Sequence, residues 1–334
     1  MTRIASGDMA QAAMLRRQTA DLKAALGTQL SEVTTGRPAD LARHLGGDLS
    51  ALAGLDATLA RLRAYGSATA EAALVAATAQ AALGAIGDGA ASLAPQLLGA
   101  ATGGTATGVD VLAADARQRF DAAVAALNTR VGDRALFAGR ATDGPALVPA
   151  GTILAALEGA VAGAAGPAAI EAAARAWFDD PAGFAATAYR GGDPLAPLPV
   201  AEGETVAIDV TAADPALRDT LRGLAMAALL DRGALAGQPA ARADLMRRAG
   251  ETLAAGSAPR GELAARLGLA EARIEGARTR NAAETTALGI ARTDLSTVDP
   301  YEAATRLEDT RQRLEAIYTL TARLSRLSLT EYLR

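Results

Sequence analysis

No cysteine occurs in the 334 residues, so neither a disulfide framework nor thiolate chemistry can be built. Histidine is almost as scarce. His44 is the single one, and any Ser-His-Asp triad or imidazole metal site would have to use it. It stands between Arg43 and Leu45 with no cluster of ligand residues, which is the setting of a surface or packing residue. Lysine occurs once, at Lys23. No Gly-x-x-x-x-Gly-Lys-Ser/Thr loop leads into it, and no Gly-x-Gly-x-x-Gly follows a strand. Gly87-Asp88-Gly89 falls inside a helical pattern, and Asp179-Asp180-Pro181 has the composition of a turn or helix cap. Arg247-Arg248 and the arginines near 273–280 read as solvated helix faces. The sequence therefore predicts no enzyme, no cofactor and no metal.

Aromatic residues make up only 3% of the chain although 50% is hydrophobic. The apolar content is thus mostly Ala, Leu and Val, which suits helices packed closely on small side chains. A net charge of −4 lacks the basic excess of a nucleic-acid binder, so no nucleic-acid partner is expected. No apolar run reaches the ~18 residues of a spanning helix, which predicts no membrane insertion. The first eighteen residues are polar and lack the apolar stretch of a cleaved signal peptide, so any export would bypass the general secretory route.

What is present is periodicity. Leu267, Ile274, Asn281, Leu288 and Leu295 repeat every seven residues. Leu263, Ala270, Ala277 and Ala291 hold the offset position, which Glu284 interrupts. A 3.5-residue period makes an apolar seam that needs a partner helix. Leu45, Leu52 and Leu59 supply one, with Leu55 and Leu62 at the offset. These residues are the expected rod core, and Asn281 would fix register at a cost in stability. Further stripes lie at Leu15, Leu22, Leu26, Leu30 and Val33, and at Leu307, Leu314, Ile317, Leu324, Leu327 and Leu329.

Helices are expected over about 1–35, 41–65 capped by Asp40, 67–98, 109–131, from 215, over 240–255, over 260–295, and from 300 to the end. Asp299 and Pro300 are natural N-cap and first-turn residues of the last. Between about 136 and 211 the chain turns rich in Gly and Pro and gathers Trp177, Phe178, Phe184 and Tyr189. Short helices are expected near 153–161 and 168–177, an extended stretch at 194–200, and a strand at 205–210. The fold class expected is mainly α: a long helical bundle and coiled coil formed by both termini, with a small mixed α/β middle domain. Three parts follow: 1–35 with 300–334 as paired terminal helices, 36–137 with 214–299 as a helical rod, and 138–213 as a middle domain with its own aromatic core.

The ends also carry a resemblance. Leu324-Ser325-Arg326-Leu327-Ser328-Leu329-Thr330-Glu331-Tyr332-Leu333 resembles the C-terminus of the hook-filament junction (hook-associated protein 3) family, relatives of flagellin. Tyr301-Glu302-Ala303-Ala304-Thr305-Arg306-Leu307 is similar to that family's entry into its last helix. Leu136-Phe137-Ala138-Gly139-Arg140-Ala141-Thr142-Asp143-Gly144-Pro145 is similar to the segment where it leaves its rod. Leu30-Ser31-Glu32-Val33-Thr34-Thr35-Gly36-Arg37 resembles the Ser/Thr-Gly-Lys/Arg stretch of flagellins, and Pro38-Ala39-Asp40-Leu41 departs from the usual Arg-x-Asn continuation.

The resemblance implies a flagellin-like subunit joining the hook-associated ring to the filament. It would be extracellular and exported through the flagellar type III channel without a cleaved signal. Its implied partners are flagellin, the hook-associated protein 1 ring, copies of itself and an export chaperone. Leu15, Leu22, Leu26, Leu30, Leu307, Leu314, Ile317, Leu324, Leu327 and Leu329 would form its assembly interface. Three readings stand beside it: a flagellin filament subunit, against which the acidic-Tyr-Leu ending speaks; a helical adaptor that is not exported; and an enzyme with a pocket along 177–189, where aromatics more simply supply the bulk of a small core.

Overall fold

The computed structural model describes the backbone of residues 2–103 and 105–332, and the side chains of 9–101 and 105–323. Long helices dominate. The first, α1 (Thr2–Thr35), ends where Gly36 takes a positive φ of 67° and its N–H donates to Glu32 O at 2.8 Å, a helix-terminating glycine followed closely by Pro38. Asp40 caps the single turn α2 (Leu41–His44) by accepting from Arg43 N. The expected helix over 41–65 is broken there, because Gly46 and Gly47 both adopt positive φ. The chain restarts at Asp48, whose carboxylate accepts from Ser50 N at 2.8 Å. The Ser50 side chain and that backbone bond hold Asp48 below the usual carboxylate range.

Helix α3 (Ser50–Gly103) then runs for 54 residues through Gly66, Gly84, Gly87 and Gly89 and through Pro95. The expected interruption near Gly66 does not occur. A Cβ at any of these four glycines would meet nothing within 4 Å, so none of them is there to let a neighbour approach. One stripe of the helix is buried at seven-residue steps: Thr69, Ala76, Leu83, Ala90 and Leu97, with Ala72, Ala79, Ile86 and Leu93 between. Packing of that stripe outweighs about 1 kcal/mol of propensity lost per glycine. Ser50–Ala101 also corrects the expectation drawn from apolar runs. Its best 18-residue window reaches a mean hydropathy of 1.3, enough by length and composition to cross a membrane, and a third of that window is buried inside the protein.

The chain divides into two compact units, Met1–Arg61 with Ala283–Arg334, and Leu62–Ala282. In the second unit, α4 (Ala106–Leu127), α7 (Pro215–Asp231), α8 (Pro239–Ala255) and the first part of α9 (Ser257–Ser296) surround a core with α3. Helix α7 is buried along almost its whole length, from Ala216 to Leu230, because α4, α8 and shorter helices pack on every side of it. The heptad of α9 is its buried face here: Leu263, Leu267, Ala270, Ile274 and Ala277 all join this core.

The middle of the chain contributes α5 (Ala150–Val161), α6 (Pro167–Asp179), a π-turn at Pro181–Ala185, and two small hairpins. The hairpin β1 (Arg130–Val131) and β2 (Arg134–Ala135) turns at Gly132, φ 57°. It was not expected, since Gly132 reads as a helix end. The second, β3 (Leu198–Ala201) and β4 (Glu204–Val206), turns at Gly203, φ 68°. The expected strand over 205–210 thus pairs only as far as Val206. Beyond it, Val206, Ile208 and Val210 remain buried while Ala207 and Asp209 are exposed. The alternation reports an extended chain lying half-buried without a strand partner. The aromatic core is not separate either. Phe137, Phe178, Phe184, Val200 and Ile208 belong to the same hydrophobic cluster as Leu93, Phe120, Leu229 and Leu267. Arg248 on α8 reaches Glu171 on α6 at 2.6 Å, and Ala212 N donates to Phe137 O at 2.8 Å.

Candidate assembly interface

In the first unit α1 packs against α10 (Pro300–Tyr332). Asp299 caps α10, accepting from Tyr301 N at 2.8 Å and Glu302 N at 3.2 Å. Val298 N donates to Gly36 O at 3.1 Å, joining the end of α1 to the start of α10. Further along, the Lys23 ammonium sits 5.7 Å from the centre of the Tyr318 ring. As α1 is followed backward α10 runs forward, so the pair is antiparallel. Its covered positions step by three and four. On α1 they are Ala12, Leu15, Thr19, Leu22, Leu26 and Gln29; on α10 they are Ala303, Leu307, Thr310, Leu314 and Ile317. That 3.5-residue period is a coiled-coil seam.

The leucines of this seam are only half covered. Leu15, Leu22, Leu26, Leu307, Leu314 and Ile317 are half-buried, and Leu30 is 53% exposed. The side chains of Leu324, Leu327 and Leu329 lie outside the described residues. Around the seam stand Met9 (74% exposed), Met14, Val33, Tyr301 (84% exposed), Tyr318 and Leu320. Among the described residues, nine of the twelve exposed large hydrophobics fall in this unit; the others, Leu74, Val111 and Leu269, belong to the second. Full burial of one such side chain contributes about 1.5–3 kcal/mol, and a concentrated exposed set of them marks an interaction surface.

The residues expected as one rod core divide between the units. Leu52 and Leu59 are buried, Leu45, Leu288 and Leu295 half-buried, all in the first unit. There Arg292 Nε donates to Asp56 at 2.5 Å, linking α9 to α3. Leu267 and Ile274 are core residues of the second unit. Asn281 was expected at a helix-helix seam. It is 5% exposed, and its Nδ2 donates to Val200 O of β3 at 2.8 Å, while Arg280 pairs with Glu204 of β4. It ties a hairpin to α9. Glu284, one turn on, is exposed. The sequence reading followed leucines and so passed over Ala12, Thr19, Gln29, Ala303 and Thr310, which complete the seam with small or polar side chains. Their three-four spacing was the signal that could have found them.

Elsewhere the described residues offer little for chemistry. They contain no group of three His, Asp or Glu placed to hold a metal ion, and His44 is exposed. Trp177 meets Phe178 and Phe184 edge-on at 5.0 and 5.9 Å, as packed core rings do. Asp180 accepts from Ala182 N at 2.8 Å, a local cap. A cleft of about 340 Å3 between α4 and the start of α8 contains Arg242, whose guanidinium already bonds Leu230 O, Ala234 O and Asp110.

Residues 261–333 match the family of the bacterial flagellin C-terminal helical region, which takes in nearly all of α9 and α10. No curated protein matches the chain by sequence. Among solved structures, a protein assigned as a flagellar hook-associated protein of Vibrio parahaemolyticus superposes with a TM-score of 0.50 at 14% identity, covering 75% of this chain and 99% of its own. FlgL of Bacillus cereus gives 0.49 at 14% identity, with 72% and 100% covered. Residues 261–333 are thus similar to the C-terminal helical region of bacterial flagellins. The fold of the chain is like that of the Vibrio hook-associated protein.

Proposed function

We propose that the protein is a structural subunit of the bacterial flagellum that forms the junction between the hook-associated ring and the flagellin filament. The observation that carries this reading is the α1–α10 pair: a half-covered seam ringed by exposed apolar residues, whose α10 half falls within the stretch similar to the flagellin C-terminal region. Such a surface is completed by neighbouring subunits, and covering it supplies the association energy left after ordering costs. On this reading the protein acts outside the cell, reaches its place by flagellar type III export with a chaperone, and touches flagellin, the hook-associated protein 1 ring and copies of itself. Its work is structural rather than catalytic.

Removing residues 314–334 tests it. The second unit keeps its whole core in this variant, so the truncated chain stays folded but cannot dock. Cells that carry only the truncated copy, and are shown to export it, should display bare hooks and release flagellin into the medium. Normal filaments on those cells would sink the proposal. A flagellin filament subunit is the second reading, favoured by the family that residues 261–333 match. Antibody labelling of intact flagella separates the two: a band confined to the end of the hook for a junction protein, label along the whole filament for flagellin.

A further inference from the structure

Helices α8 and α9 follow one another with Gly256 alone between them. Gly256 N donates to Thr252 O at 3.0 Å and Arg260 N to Gly256 O at 3.2 Å, so helical bonds stand on both sides of the break. Pro259 accounts for the lapse. It has no N–H to give Ala255 O, and its ring crowds that carbonyl. The last carbonyls of α8 then need donors from elsewhere. Leu253, which is fully buried, finds one in a side chain: Arg260 Nη2 donates to Leu253 O at 3.0 Å.

The same guanidinium reaches a third helix. Its Nη1 donates to Thr220 Oγ1 of α7 at 3.1 Å. Thr220 is also fully buried, and its own hydroxyl proton goes to Ala216 O at 2.7 Å. Other arginines on the helices of this unit meet a carboxylate. Arg222 meets Asp219 at 3.0 Å, and Arg242 and Arg248 meet Asp110 and Glu171 at 2.6 Å each. Among the described residues Arg260 meets none, and burial alone shifts it, downward. A half-buried cation without a counter-charge is a cost, so what it contributes lies in its fork of donors. Gly256 makes room for that fork. Its φ of −72° and ψ of −3° suit any residue, yet a Cβ there would stand 2.8 Å from Arg260 Nη1.

The geometry points to Arg260 as a brace that locks the α8–α9 corner. Seated against Gly256, one guanidinium takes over the open carbonyl of Leu253 and ties the corner to Thr220 of α7. The pairing of Gly256 with Pro259 would otherwise make a hinge; the brace turns it into a fixed joint. This inference concerns the second unit by itself and does not rest on the flagellar reading.

Hydrogen exchange of the full chain reads the corner through peptides that cover residues 253–262, with peptides of α4 as reference. Arg260→Met keeps the stem and removes the fork. It should speed exchange at the corner by about tenfold or more, the scale of one buried acceptor left open, and leave α4 within about twofold. Gly256→Ala gives a sharper reading, because its sign depends on the brace. By propensity alone it slows exchange, since alanine suits a helical position better. With Arg260 present it displaces the guanidinium, and exchange at the corner should rise severalfold. In the Arg260→Met background the same change should slow it. Equal effects of Gly256→Ala in both backgrounds overturn the proposal. So does an Arg260→Met corner that exchanges like the native one, or one that loosens together with α4. If Arg260→Met does not fold, Thr220→Val removes one of the two bonds with the shape kept. A severalfold rise confined to the corner then supports the brace, and no rise, or an equal rise in α4, overturns it.

Discussion

At Gly139 the backbone turns with φ 56°, and a Cβ there would lie 2.3 Å from the carbonyl oxygen of Asp193 and 2.5 Å from that of Gly192. Ala138 O and Arg140 N bond to Gly192 N and Asp193 O on either side of it. Gly139→Ala should therefore lower stability by upwards of about 1 kcal/mol, since both conformation and space are lost, as a shift in the urea midpoint would show. The stretch Leu136-Phe137-Ala138-Gly139-Arg140 was legible as a motif. The contact that explains it was not, because the opposing carbonyls arrive more than fifty residues later. Nearby, burial pushes the Tyr189 hydroxyl above the usual tyrosine range, partly offset by a bond with Thr211 and reinforced by Asp193. Its O–H donates to Gly192 O at 2.8 Å. A raised pKa in the folded state means that this contribution is whole below about pH 10, the unfolded value, and is lost as pH rises through the folded value. Stability should fall more steeply above pH 10 in the wild type than in Tyr189→Phe, measured as urea midpoint against pH.

Helix α9 shows how far periodicity reads an element. The stripe from Leu263 to Asn281 is the buried face of the helix, as the seven-residue repeat predicted. What periodicity could not supply was the neighbours, because a seam states only that something apolar must cover it. Leu267→Ala and Ile274→Ala should each cost about 2–5 kcal/mol by chemical denaturation, the range for buried large-to-small changes. Leu288→Ala, at a half-buried position of the same helix, should cost clearly less. Helix α3 was read in two pieces because glycine was weighed by propensity alone, and the stripe that carries it through Gly66 is made largely of alanine, which a search for leucines misses. The hairpin of β3 and β4 was half legible: alternation marked extended chain, while the partner strand and the anchor at Asn281 depend on tertiary contacts.

For the whole molecule, the sequence suggests three parts, 1–35 with 300–334, 36–137 with 214–299, and 138–213, whereas the contacts form two compact units, Met1–Arg61 with Ala283–Arg334 and Leu62–Ala282; the middle segment is not separate from its unit's core. Its phenylalanines are core residues shared with α3, α4, α7 and α9. Deleting 138–213 and joining the ends should leave a molten product with exposed apolar surface rather than a folded rod, seen as dye binding and loss of a cooperative melt. The terminal pair behaves differently. Amides over 9–33 and 303–323 should exchange with solvent much faster in the free chain than those of α7, since a half-covered seam supports helices that are marginal alone.

The route by which the second unit closes its core has a cost in time. Leu83, Leu93 and Leu97 of α3 share their cluster with Leu267 and Ile274 of α9, at the far end of that unit's sequence. A mostly helical protein ordinarily folds fast because its contacts are local. Here the first helix of the core must wait for one of the last, and each intervening turn adds to the entropy of closing the loop. Refolding from denaturant should be slow for so helical a chain, and an Ala-rich face of α3 should stay open to stray association until α9 arrives.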